Sequence, residues 1–333
     1  MSCTDGGGPS MNTDISGIGV RVSFYLQTLF LGCLSARSVS LDEITGAFYT
    51  LLATNTGIAV TALILGFKST PEISFHDALV VSYLLYISWV TVLFSLPSSA
   101  RFGNKPGDVK ILKILHFCSV IQSYAVFAFA FAMLATAPTF GSTPECNPNA
   151  LVVLFRPFSA LNAGRILFCV LAGLVCIAYT ALLVNDHIVP RTKKMARILK
   201  QLIVQHIPVP DMSGEAAVSP PPPPKAPEAN AAPPPAFKKY VPPSKHRERY
   251  NCQIDWKVVF KITIILILWG LAVMNTELLI RWNHFAASDG SHSEWQFGQV
   301  LPMFLVGLSL ISVVTTFREN GIRTLPVVVI PPV

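Results

Sequence analysis

Seven long, mostly apolar stretches recur along the 333-residue chain, and they constrain its fold more than any other property. A bilayer's hydrocarbon core is about 30 Å thick and a helix rises about 1.5 Å per residue, so roughly 20 apolar residues cross it once. The stretches run from Ile15 to Leu34, Ile44 to Gly66, Ile73 to Leu96, Ile111 to Thr136, Ala163 to Val184, Val258 to Leu279 and Phe297 to Phe317. In lipid every backbone polar group must be satisfied within the segment, which makes each stretch a helix. The expected fold class is all-α: a polytopic transmembrane helix bundle of seven spans. Arg21 and Gln27 weaken the first span and His76 and Asp77 the third, so six or eight spans stay open as alternatives. With 52% hydrophobic and 13% charged residues, the chain departs from the soluble norm of about 25% charged, and a disordered chain, a collagen and a small disulfide scaffold are excluded.

Lys and Arg in short connections mark the cytoplasmic side. One set of alternating connections holds Arg37, then Arg101, Lys105 and Lys110, then the long loop after the fifth span, then Arg318 and Arg323. The opposite set holds Lys68, Arg156 and Arg281, with Asp5 and Asp14 in the N-terminal tail. The N-terminus is therefore expected outside and the C-terminus inside. This gives an extracellular tail over 1–14, spans one to five over 15–184, a cytoplasmic loop over 185–255, spans six and seven over 256–318 and a cytoplasmic tail over 319–333. No cleavable leader pattern precedes the first span, which is read as a retained signal anchor. Of the seven cysteines only Cys3 and Cys146 would face an oxidising compartment; a single disulfide between them is the alternative to the favoured expectation, in which all seven are unpaired as small apolar residues of membrane helices. Cys252, beside the sixth span, is a candidate for palmitoylation.

The net charge of +7 is local: eleven Lys or Arg against six Asp or Glu between Asn185 and Asp255 leave +5 in the loop. This accounts for the basic balance without a nucleic-acid partner. In the segment RTKKMARILKQLIVQHI, apolar residues recur at helical spacing while Arg191, Lys193, Lys194, Arg197 and Lys200 fill the other face. It is expected to be an amphipathic helix on anionic inner-leaflet lipid, where each basic residue contributes on the order of 1 kcal/mol. The alternative is a helix that extends the fifth span. Thirteen of the 26 prolines lie between Pro208 and Pro243, a composition that favours a disordered or polyproline II spacer. Pro220, Pro223 and Lys225 match the spacing of a ligand for a proline-recognition module, although a run of five prolines matches it almost automatically.

Ionisable and amide residues inside a bilayer are costly, which makes their depth a functional clue. Arg21, Asp77, Arg165 and Glu277 fall in the outer third with Asn275 at a similar level, while Gln27, Asn55 and Gln122 fall near the midplane. One reading is an outward polar vestibule for a small polar or amphipathic ligand. The other pairs Glu277 with Arg281 and Asp77 with Arg21 or Arg165, and leaves the amides as interhelical glue. No chemistry-bearing set is visible. The seventh span has no lysine for a retinal Schiff base, the histidines are scattered, and neither a Gly-rich phosphate loop nor a GxSxG elbow occurs. No catalytic residue, metal ligand or cofactor is assigned.

Seven spans with a long basic loop between the fifth and sixth resemble the layout of a G-protein-coupled receptor. The motifs do not follow: the third span ends SLPSSARFG, the sixth reads ILILWGLAVMN, and no Asn-Pro-x-x-Tyr closes the seventh. Layout alone assigns no function. The segments DISGIGVRVSFYLQ, ATNTGIAVTALILG and WQFGQVLP resemble uncharacterised seven-span membrane proteins of fungi, which implies such a membrane protein and no activity. In the first of these, Gly17 and Gly19 permit a turn into the bilayer or a close helix contact. In the last, Trp295 suits an interface anchor, and Gly298 with Pro302 would loosen the start of the seventh span. The expected function is receptor-like, coupling the outer pocket to the basic loop. A transporter or channel is the alternative, and plasma membrane and endomembrane are not distinguished.

Overall fold

The computed structural model describes residues 8–99, 106–205, 254–286 and 297–322. Their elements, in chain order, are α1 (Thr13–Ser16), α2 (Ile18–Arg37), α3 (Leu41–Phe67), α4 (Phe75–Ser99), α5 (Pro106–Ala135), a 3-10 helix (Pro144–Asn149), β1 (Leu151–Leu154), β2 (Arg156–Ser159), α6 (Ala163–Gln205), α7 (Trp256–Trp282) and α8 (Phe297–Asn320). Seven helices are long and apolar enough to cross a membrane, and they coincide with the expected spans. The protein is an all-α, multi-pass integral membrane protein. It divides into two compact units, Met1–Ala178 with Gln253–Val333, and Tyr179–Cys252. In the second unit, helix runs to Gln205, so the stretch bearing Arg191, Lys193, Lys194, Arg197 and Lys200 is helical. The placement of those five side chains lies outside the described residues. So do the N-terminal tail before Gly8, the proline-rich tract with Pro220, Pro223 and Lys225, Cys252, Trp295 and the C-terminal tail after Ile322.

In the first unit the helices start where short polar side chains take up orphan amides. Asn12 accepts from the Asp14 N–H, Ser40 from the Asp42 N–H and Asp255 from the Lys257 N–H. Helix α2 packs against α3, α4, α7 and α8, and α4 packs against α2, α3, α5 and α7, so these two form the middle of the bundle. The first span is the least apolar of the seven, yet 67% of its most apolar window is buried, against 6% for the sixth. A bilayer imposes that order, because polar helices are accommodated among protein and apolar ones against lipid. Both glycine readings hold together. Gly17 joins α1 to α2 where a Cβ would lie 2.1 Å from the Thr13 carbonyl oxygen, and at Gly19 a Cβ would lie 2.8 Å from the Gln299 side chain of α8.

Each end of the bundle is tied across helices. At the end nearest the long loop, the Arg37 guanidinium donates to the carbonyls of Asn320 and Gly321, two acceptors that the end of α8 leaves free. The Glu43 carboxylate accepts from the hydroxyls of Ser38 and Thr316. At the opposite end the Gly8 N–H donates to the His284 carbonyl at 2.7 Å, and the Ser142 N–H to the Ile73 carbonyl at 2.9 Å. Cys146, buried there, is disulfide-bonded, which corrects the expectation that all cysteines are unpaired; its partner lies outside the described residues. Cys33, Cys118, Cys169 and Cys176 form no disulfide, as expected.

One element has no counterpart in the sequence reading. Strands β1 and β2 form an antiparallel hairpin between the fourth and fifth spans, in the register Leu151↔Ser159 to Leu154↔Arg156, with Phe155 alone at the turn at φ 61°. The Tyr83 hydroxyl donates to the Val153 carbonyl at 2.6 Å and accepts from the Val153 N–H at 3.0 Å. The Asn283 amide does the same for Leu151, both bonds at 2.8 Å. Two side chains thus stand in for a third strand along the free edge of β1. Tyr83 lies eight residues into α4, about 12 Å along its axis. Non-helical backbone at such depth is tolerated only when protein satisfies it, which these bonds do.

Candidate functional site

The eight candidate ligand residues fall into separate settings. Arg21 donates from one nitrogen to both Glu277 oxygens, each at 2.6 Å, and the Tyr25 hydroxyl adds a bond to Glu277 at 2.9 Å. The Arg21 side chain is 10% exposed and that of Glu277 48%, so the pair spans the boundary between interior and surroundings. Glu277 therefore pairs across helices, and not with Arg281 one turn away. The indole N–H of Trp269 donates to the Tyr25 carbonyl at 2.8 Å, a second link between α7 and α2.

Asp77 pairs with neither arginine. Its carboxylate accepts four hydrogen bonds, from the Asn12 N–H and Ser16 hydroxyl on one oxygen and the Ser74 N–H and hydroxyl on the other. The Asp77 N–H returns a bond to the Ser74 hydroxyl at 3.1 Å, completing a reciprocal capping box at the start of α4. With both oxygens engaged and the residue 1% exposed, Asp77 holds the N-terminal segment against α4 and offers nothing to a ligand. The pattern S-x-x-D at 74–77 before an apolar run is the sequence signal for this role.

Arg165 donates to the Ala135 carbonyl at the end of α5 at 3.0 Å. Asn275 accepts from the Phe155 N–H and donates to the Leu271 carbonyl, both at 2.8 Å, so it seats the hairpin turn. Gln27 reaches the Pro302 carbonyl of α8 at 3.4 Å, while its own oxygen has no partner among the described residues. Asn55 and Gln122 are buried, and neither the oxygen nor the nitrogen of either amide has a partner among the described residues. They lie at similar depth on α3 and α5, which pack together. Among the described residues no group of His, Cys, Asp and Glu is arranged to hold a metal ion.

The space in this unit lies elsewhere. A cavity of about 800 Å³ opens between α2, α4, α6 and α7, with Val153 and Leu154 of β1 against it. Its walls are apolar, including Ile87, Val90, Phe168, Leu171, Ala172 and Leu268. The threonine hydroxyls along it donate to their own helices, Thr28 to the Phe24 carbonyl, Thr91 to that of Ile87 and Thr276 to that of Ala272, which spends them as donors to a ligand. Several wall residues, among them Phe94, Leu154, Leu171 and Leu268, are exposed, so the cavity is a crevice open on the flank of the bundle. Two wall groups, the Lys261 ammonium and the Tyr86 hydroxyl, make no hydrogen bond among the described residues. Only Asn275 of the eight candidates lines it. The signal for Lys261 is its own position, a lysine inside the expected sixth span.

Compared with protein-family models, curated proteins and solved structures, the chain matches none.

Proposed function

We propose that this membrane protein is receptor-like, taking a ligand with an apolar body from the lipid into the crevice between α2, α4, α6 and α7 and passing its occupancy to the long basic loop. The supporting observation is which helices wall the crevice. Phe168, Leu171, Ala172 and Val175 of α6 face it with Lys261, Leu268 and Ala272 of α7, and these two helices bound the loop in the sequence. A ligand shifts such an equilibrium only by its differential affinity for two helix spacings, and a ligand wedged between the helices that bracket the loop meets that condition. The ligand site moves from the outward polar vestibule to an apolar crevice because Arg21, Asp77, Arg165, Asn275 and Glu277 already have partners within the protein. In this reading the loop acts through anionic lipid at Arg191, Lys193, Lys194, Arg197 and Lys200 and through a proline-recognition partner at Pro220, Pro223 and Lys225. Kinship with fungal seven-span proteins is part of the same proposal and rests on the three segments quoted above.

The test places an environment-sensitive fluorophore on a single cysteine introduced at Ser219, in full-length protein in nanodiscs, and titrates a long-chain alcohol. Emission should change saturably, and Ala172→Trp, which fills the crevice, should abolish the change. Unchanged emission despite demonstrated binding overturns the coupling.

A second reading, transport of a small polar solute, draws on the unpartnered amides of Asn55 and Gln122. If they serve no solute, Asn55→Leu with Gln122→Met removes unpaired buried polar groups and raises stability by about 1–3 kcal/mol. Loss of solute flux in proteoliposomes on the same substitutions would favour transport.

A further inference from the structure

We infer that the crevice ligand is a long-chain monoanionic amphiphile of the fatty-acid class, its carboxylate on Lys261 and its chain running along α7 toward Asn275. The inference rests on the crevice reading above and names the ligand chemistry for it.

Three observations carry it. First, Lys261 is the single charged residue on the crevice wall and forms no ion pair among the described residues. A wall otherwise apolar, with one unpaired cation, is complementary to one negative charge attached to a hydrocarbon body, and one ammonium matches a carboxylate better than a doubly charged phosphate monoester. Second, the depth is right. Helix α7 has 27 residues and is about 40 Å long, some 10 Å more than the hydrocarbon core. Lys261, five residues from its start, therefore sits about 8 Å in, near the level where a hydrocarbon region gives way to headgroups. With the loop inside, as the Lys and Arg distribution predicts, that level belongs to the inner leaflet. Third, the length is right. Fourteen residues separate Lys261 from Asn275, about 21 Å of helix, which exceeds the roughly 15 Å of one leaflet and gives an extended long chain a wall along its full course. Near its far end the crevice meets Val153 and Leu154 of the hairpin, and the mid-depth hydroxyl of Tyr86 faces the chain between.

The open flank supplies the route. Because Phe94, Leu171 and Leu268 are exposed at the crevice, an amphiphile in the leaflet slides in sideways without leaving lipid, its headgroup staying at one depth.

The test uses full-length protein in neutral phosphatidylcholine nanodiscs and two photoactivatable probes, a diazirine-bearing stearic acid and the corresponding alcohol. The acid should label peptides of α4, α6 and α7, and oleate should compete. Lys261→Gln should weaken the acid by about tenfold and leave the alcohol unchanged, and Lys261→Arg should restore the acid. Ala172→Trp should abolish labelling by both, and Val175→Phe, at the crevice mouth, provides a second obstruction if Ala172→Trp fails to assemble. Equal binding of acid and alcohol, unaltered by Lys261→Gln, overturns the anionic assignment while the crevice stands. Competition by lysophosphatidate about tenfold stronger than by oleate overturns the monoanion. Labelling that persists in both obstructed variants overturns the crevice itself, and the receptor-like reading with it.

Discussion

Arg21 and Glu277, 256 residues apart in sequence, close the first span onto the sixth through two hydrogen bonds from a single guanidinium nitrogen. Removing the carboxylate leaves a nearly buried cation without its counter-ion, whereas removing both charges leaves none. Glu277→Ala should therefore cost about 2–4 kcal/mol, and Arg21→Leu combined with Glu277→Leu should fall within about 1 kcal/mol of wild type. Thermal unfolding in detergent micelles checks this, and a double variant worse than the single would refute it.

The capping box at the start of α4 gives a different kind of expectation. Asp77→Ala removes an acceptor of four hydrogen bonds and should destabilise by roughly 2–4 kcal/mol. Because two of those bonds come from Asn12 and Ser16, limited proteolysis near Pro9 to Gly17 should accelerate. Labelling of the crevice by a lipid probe should not change, since Asp77 is not on its wall.

Tyr83→Phe isolates the part played by one hydroxyl. It deprives Val153 of a donor and an acceptor well below the end of α4, at a cost of about 2–3 kcal/mol. Hydrogen exchange should show lost protection at Val153 and its hairpin neighbours, with α3 and α5 unaffected. Uniform loss of protection across all helices would mean that the hairpin is essential to assembly.

Cys146 is disulfide-bonded, and four of the other six cysteines, Cys33, Cys118, Cys169 and Cys176, form no disulfide. Of the remaining two, Cys3 belongs to the tail expected outside and Cys252 to the loop expected inside, so the bond should run from Cys146 to Cys3. Peptide mapping without reduction identifies the link. A Cys146–Cys252 peptide would contradict the expected topology.

The spans were legible because lipid dictates them: a run of apolar residues such as Ala163 to Val184 has one reading at that length, whatever its neighbours do. The site was less legible, for a physical reason. Depth can be counted along a sequence, but the direction in which a side chain leaves its helix depends on partners far away. Arg21 and Asp77 lie in the same third of the bundle by counting, yet one reaches α7 and the other folds back on Ser74, Asn12 and Ser16. The nearest oppositely charged residue in sequence, Arg281, is not the one that Glu277 takes. The hairpin hid for another reason. LVVLF over Leu151 to Phe155 is a short apolar, β-branched run that pairs with β2, and its other edge is satisfied at that depth by the hydroxyl of Tyr83 and the amide of Asn283, both far away in sequence.

Of the seven spans, the least apolar is made before the other six. At about 5–20 residues per second, Glu277 emerges some 13–50 s after Arg21, given their separation of 256 residues. During that interval the cation has no counter-ion, and α8, whose Gln299 packs on Gly19, has not yet been synthesised. The newborn first helix is therefore a poor resident of lipid on its own until α7 and α8 supply its partners. Closure of this bundle then runs against the order of synthesis, because the earliest of the seven spans waits for the latest.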